Sequence, residues 1–221
     1  MIVTAPLETL AFGIGIKPAL RVRLAEPAAR EREADRWRER GASVVAHAGL
    51  LYVARDEATA AALREAEAAV LPDGPLRPPD AAVRDAHRTL GRLLGYPRCC
   101  VEAFVERLAR GVEVRADGGR AAEVVVAAED ALRRGRRRHA RLSFFLPKRR
   151  ALVPFDPCAF DCQPAMLYAD ALLSAYSERD RTAANELAGA LLGEVRLAAD
   201  GARLRPDDPR PHVVRIRWDT L

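Results

Sequence analysis

The stretch Ser43-Val44-Val45-Ala46-His47-Ala48-Gly49-Leu50-Leu51-Tyr52-Val53-Ala54 decides how the chain is read, because it sets two short apolar segments, Ser43 to Ala46 and Leu50 to Ala54, around His47-Ala48-Gly49. Segments of this length bounded by a glycine turn predict paired strands. Upstream, Glu26 to Arg40 is strongly charged and helix-compatible, and it ends at Gly41. Downstream, Asp56 is placed to cap a helix over Glu57 to Val70, whose alanines give high helix propensity. The proline-rich stretch Leu71-Pro72-Asp73-Gly74-Pro75-Leu76-Arg77-Pro78-Pro79 stops that helix and is the best internal boundary.

Beyond the boundary the chain turns mainly helical, over Asp80 to Leu94, Pro97 to Arg110, Gly119 to Leu142, and Pro164 to Leu192 with a break near Arg179. Strand character returns at Glu194 to Leu197 and Ala202 to Arg205, which flank a hairpin signal at Asp200-Gly201, and in the alternation of Val214, Ile216 and Trp218. The prediction is an α+β fold in which a small sheet of N- and C-terminal strands packs on a mainly helical central section. Residues 1–79 then form an N-terminal α+β part, 80–192 a helical part, and 193–221 the strands completing the sheet, all in one compact unit.

With 221 residues, 49% of them hydrophobic, the chain can bury a real core. No apolar run approaches the ~20 residues of a membrane span and the start shows no leader pattern, so the expectation is a cytoplasmic protein with no membrane contact. Of 36 basic residues only Lys17 and Lys148 are lysines, a skew that lowers the weight of any single arginine. The net charge of +5 is local: Arg133 to Arg150 holds eight arginines and a lysine with no acid. Such a segment can attract nucleic acid, phosphate or an acidic partner.

The four cysteines fall in two proline-led pairs, Pro97-Arg98-Cys99-Cys100 and Pro157-Cys158-Ala159-Phe160-Asp161-Cys162. In a reducing compartment such pairs point to metal before disulfide. Pro97 suits the first turn of a helix, which puts Cys99 and Cys100 near unpaired amides that favour thiolate, with Arg98 adding positive charge. Pro154, Pro157 and Pro164 make a rigid loop the expected form of the second pair, whose spacing lets both sulfurs reach one centre. All-thiolate sites suit zinc or an iron-sulfur cluster. Adjacent cysteines project divergently, which favours a cluster with its separate irons over a single ion.

His139 follows Val125, Ala128, Leu132 and Gly135 at helical spacing, so it reads either as a core histidine or as a ligand or proton donor beside the cysteines. His47, His87 and His212 carry weaker cases. Lys148, Arg149 and Arg150 precede Cys158 closely and, with Arg98, are the candidates for holding an anionic substrate at the mouth of the site. Aromatic residues make up only 5%, leaving few stacking platforms for single-stranded nucleic acid. Gly13-Ile14-Gly15 lacks the third glycine of a dinucleotide loop.

The pattern Leu93-Leu94-Gly95-Tyr96-Pro97-Arg98-Cys99-Cys100-Val101-Glu102-Ala103-Phe104, followed by the Pro157 to Cys162 segment, resembles that of an uncharacterised prokaryotic family of unknown function with Gly-Tyr-Pro-x-Cys-Cys and Pro-Cys-x-x-x-Cys motifs. The resemblance covers about Leu90 to Ala175 and implies that the two pairs share one site; it implies no activity.

The leading expectation is an iron-sulfur protein, with Cys99, Cys100, Cys158 and Cys162 holding a 4Fe-4S cluster near His139, used in redox or sulfur-transfer chemistry on a small anionic molecule. One alternative is a zinc-stabilised module that docks a protein or nucleic acid through its arginine-rich helix. Another is a metal-free cysteine enzyme with His139 as base.

Overall fold

The computed structural model describes residues 6–70, 80–110, 121–135, 137–145, 151–199, 202–205 and 207–221. Those residues fall into two compact units that divide at Tyr96 and Pro97.

In the first unit, β2 (Ser43–His47) and β3 (Leu50–Ala54) form the expected hairpin. His47 pairs with Leu50, which leaves Ala48 and Gly49 as a two-residue turn with φ of 46° and 80°. That double left-handed turn matches the natural twist of paired strands. A strand the sequence reading passed over, β1 (Ala19–Arg23), takes the other edge of β3, so the order is β1-β3-β2, all antiparallel. As the central strand, β3 is buried at every position.

Helices α1 (Pro6–Gly13), also unforeseen, and α2 (Pro27–Glu39) contribute Phe12 and Trp37 to a core with Leu20, Val22, Leu51 and Val53. A second core joins Leu50 and Tyr52 to Leu63 of α3 (Glu57–Val70) and to Leu90 of α4 (Ala81–Leu93). Asp56 caps α3 by accepting from the Thr59 amide at 2.7 Å, and Asp80 caps α4 by accepting from Val83 at 2.9 Å. Because α4 packs on α3, it belongs with the N-terminal strands, and the division lies at Tyr96/Pro97 instead of at the proline-rich stretch 71–79.

The second unit comprises α5 (Arg98–Ala109), α6 (Ala121–Arg134), a 3-10 turn at Ala140–Leu142, α7 (Gln163–Arg179), α8 (Arg181–Leu191), β4 (Val195–Leu197), β5 (Arg203–Leu204) and β6 (Val214–Ile216). The break foreseen near Arg179 is at Asp180, which leaves the helical region (φ −153°) and caps α8 through the Ala183 amide. The strands form a second antiparallel sheet, β5-β4-β6; the Asp200-Gly201 turn lies outside the described residues.

The α+β class is therefore as expected, with small sheets and a mainly helical remainder. The shared sheet is corrected: the strands near the two ends pair separately. Each central strand finds both partners within its own segment, where closing the connection costs less chain entropy than pairing across the sequence.

Candidate metal centre

Pro97 is the N-cap of α5, one position earlier than a first-turn residue, with extended backbone (φ −57°, ψ 132°). Cys99 and Cys100 therefore occupy the opening turn, where the Cys100 amide donates to the Pro97 carbonyl at 2.9 Å. Cys100 is buried and Cys99 exposed. On the same face of α5, three and seven residues further on, lie Ala103 and Arg107, both buried. The second pair sits on an irregular loop that ends with Cys162 as the N-cap of α7.

Phe160, wholly buried between Cys158 and Cys162, anchors that loop. The rings of Phe144, Phe145 and Trp218 surround it at 6.2, 6.2 and 5.1 Å. Its carbonyl accepts a hydrogen bond from the His139 amide at 3.0 Å. A buried Arg107 guanidinium lies 3.6 Å from the Asp156 carboxylate, just ahead of Pro157-Cys158, and so ties α5 to the loop from beneath.

These anchors bring the four sulfurs together. The Sγ atom of Cys162 is 3.5 Å from that of Cys99 and 3.7 Å from that of Cys100, and the two neighbours Cys99 and Cys100 are 4.0 Å apart. With Cys158, all four lie within 4.8 Å of one another and could hold a metal ion. The Cys158 amide donates to the Cys100 sulfur at 3.4 Å, a contact that favours thiolate. The opening turn of α5 brings both adjacent cysteines into the group.

Four sulfurs this close cannot all ionise unless a cation sits among them. Without one, the Cys158 thiol is drawn below its ordinary value by hydrogen bonds from Cys100 and then Cys162, helped by the Arg134 cation. Cys100 is pushed up, first by its hydrogen bonds to Cys158 and Cys162 and then by burial. A divalent ion would release these shared protons.

His139 is corrected in its setting. Helix α6 stops at Arg134, so the helical face that was to carry His139 ends before it. His139 instead makes a parallel bridge with Thr220, and its Nδ1 lies 2.6 Å from the Thr220 hydroxyl. Among the described residues, the group placed to ligate is the cysteine tetrad alone, without His139.

Arg98 is exposed at the start of α5, while Lys148, Arg149 and Arg150 lie outside the described residues. His47 and His212 are exposed, and His87 belongs to the first unit. The arginine segment is less open than its sequence suggests: Arg133 pairs with Asp130 at 2.9 Å, Arg134 with Glu106 at 3.8 Å, and Arg138 with Asp219 at 2.8 Å. Arg107 escaped notice because arginines are so common here; its helical register with Cys100 was the signal that could have found it.

No family model, curated protein or solved structure matches the chain. No described helix is long and apolar enough to cross a membrane.

Proposed function

We propose that the chain is a metal-binding protein in which Cys99, Cys100, Cys158 and Cys162 hold one tetrahedral ion, with zinc the best fit, and that the ion staples the second unit as a binding module. The spacing of the sulfurs carries this reading. Zinc bonded to sulfur at ~2.3 Å in a tetrahedron sets its four sulfurs ~3.8 Å apart. Three of the six separations, at 3.5, 3.7 and 4.0 Å, bracket that value, and all six lie within 4.8 Å. Thiolates that each bind a different iron of a four-iron cluster stand roughly 6 Å apart, so the cluster reading requires the pocket to open.

Four protein ligands also leave no position free for substrate, the pattern of a structural site and not of a catalytic one. The His139 ring engages the Thr220 hydroxyl, which weakens its case as an acid or base at the sulfurs. The likeness to a family with both cysteine motifs belongs to this proposal: the two motifs supply one ion.

Purification without oxygen, followed by elemental analysis, tests the reading. One zinc per chain in colourless protein, replaceable by cobalt with the intense visible bands of a tetrahedral thiolate site, is the expected result. Brown protein absorbing at roughly 400 nm, with iron and sulfide in equal amounts, would establish the cluster instead.

A further inference from the structure

The four sulfurs of the tetrad do not meet solvent equally. Cys100 and Cys162 are 2% and 7% exposed, Cys158 is half-buried, and Cys99, in the opening turn of α5, is the exposed member. A bound ion keeps its cysteine ligands as thiolates, the form that reacts with electrophiles, so an exposed ligand is where a small reagent enters the site. Oxidation follows thiolate character and exposure together, and its product depends on whether a second sulfur stands within reach.

Cys99 has such a partner. Its Sγ lies 3.5 Å from that of Cys162, the shortest of the separations of 3.5, 3.7 and 4.0 Å. A disulfide bond is ~2.05 Å long, so an approach of ~1.5 Å closes it. The neighbour Cys100, at 4.0 Å, is a poor partner. Adjacent residues across a trans peptide have Cα atoms about 3.8 Å apart, short of the ~4.4–6.8 Å that disulfides span. Cys100 and Cys162 approach to 3.7 Å, but both are buried, away from an oxidant arriving from solvent.

We propose that Cys99 is a modification site for hydroperoxides, with Cys162 as its resolving partner, and that their disulfide takes the place of the ion. With hydrogen peroxide, the Cys99 thiolate attacks one oxygen, the O–O bond breaks, the departing hydroxide takes a proton to become water, and Cys99 is left as a sulfenic acid. The Cys162 thiolate then attacks the Cys99 sulfur, the S–O bond breaks, and a second hydroxide leaves and is protonated to water. Two electrons pass from the two sulfurs to one peroxide. Cys100 and Cys158, half of a tetrahedron, each take up a proton as the ion departs. The new bond joins the openings of α5 and α7 across the same 63 residues that the ion spans. One staple is exchanged for another, and the fold of the second unit outlasts the loss of metal. The inference rests on the proposed zinc tetrad and adds its regulation.

The test treats the zinc-loaded full chain with hydrogen peroxide, following zinc with a chromogenic chelator, disulfides by peptide mapping and fold by circular dichroism. Zinc should leave in step with a Cys99–Cys162 disulfide while the helical signal is retained, and dithiothreitol with added zinc should restore the starting state. Cys99→Ala, with three sulfurs left for the ion, should release it at least about tenfold more slowly under the same peroxide. Where that variant retains no zinc, the metal-free parent decides, and it should map to the same pair. A predominant disulfide between any other two cysteines, Cys99 ending as a sulfinic acid in place of a disulfide, or equal release from parent and Cys99→Ala would each overturn the proposal. The zinc reading fails at a different point: iron and sulfide in the untreated chain would overturn it, while the map obtained after the cluster is stripped still decides the cysteine pairing.

Discussion

The sulfur of Cys99 at the opening of α5 lies 3.5 Å from that of Cys162 at the opening of α7, across 63 residues of sequence. An ion bound there closes that long loop, and in metal-stapled domains the binding energy is folding energy. Replacing the buried Cys100 by serine should abolish stoichiometric metal and lower the melting temperature of the second unit by roughly 10 °C or more. Calorimetry with parallel metal analysis checks this, and a chelator should reproduce the shift in the parent chain.

Gly95 has φ of 74°, and a Cβ placed on it would stand 2.8 Å from both the Ile16 carbonyl oxygen and Pro18 Cδ. Neither neighbour is the free end of a flexible side chain. Gly95→Ala should therefore destabilise the first unit by about 2 kcal/mol or more in urea unfolding, while metal content stays at the parent value.

Removing the buried Arg107 guanidinium takes an ion-pair partner from the Asp156 carboxylate beside the cysteine loop. Arg107→Ala should cost about 3 kcal/mol and weaken metal retention. The double variant with Asp156→Ala should recover part of the loss, a non-additivity read directly from a double-mutant cycle.

His87 is held neutral, its pKa lowered from 6.5 to about 4 by burial and then by the Arg21 cation. Between those two values the unfolded chain takes up the proton more readily, so acid favours unfolding. Stability of the first unit should rise from pH 4 to pH 6.5 and then level off as far as this group is concerned. His87→Gln should flatten that slope in denaturation curves measured across the window.

The Glu194 carboxyl is brought down to about 2 by hydrogen bonds from Arg217, Arg196 and Arg215. Its contribution to stability is present above the ordinary value of 4.5 and disappears as pH falls through about 2. Carboxyl-carbon NMR should show this low titration in the parent chain and a rise in Arg217→Ala.

Much of the architecture is visible in the sequence where the signal is local. Glu57 and Val70 bound α3 in both the sequence reading and the structure, because Asp56 caps one end and the prolines follow the other. The meeting of the cysteine pairs was also legible, since four thiols have few other reasons to sit behind prolines. What escaped depends on contacts distant in sequence. The alternation of Leu20 and Val22 in β1 is too short to stand out, and only the open edge of β3 makes it a strand. His139 looked helical because nothing in its spacing reveals that the helix stops at Arg134 and that His139 bridges to Thr220. The 4.0 Å approach of the Cys99 and Cys100 sulfurs depends on side-chain positions, which spacing alone does not fix.

The six residues Gly95 to Cys100 look like one signature, yet their duties divide at a peptide bond. Gly95 fits against Ile16 and Pro18, and the Tyr96 ring lies 5.4 Å from the buried Lys17 ammonium, while Pro97 opens the helix that carries both thiols. Selection on such a hexapeptide would act through two unrelated phenotypes. A saturation library over these positions should sort accordingly, with damage at its first two sites sparing metal uptake and damage at its last two sparing the fold of residues 6–96.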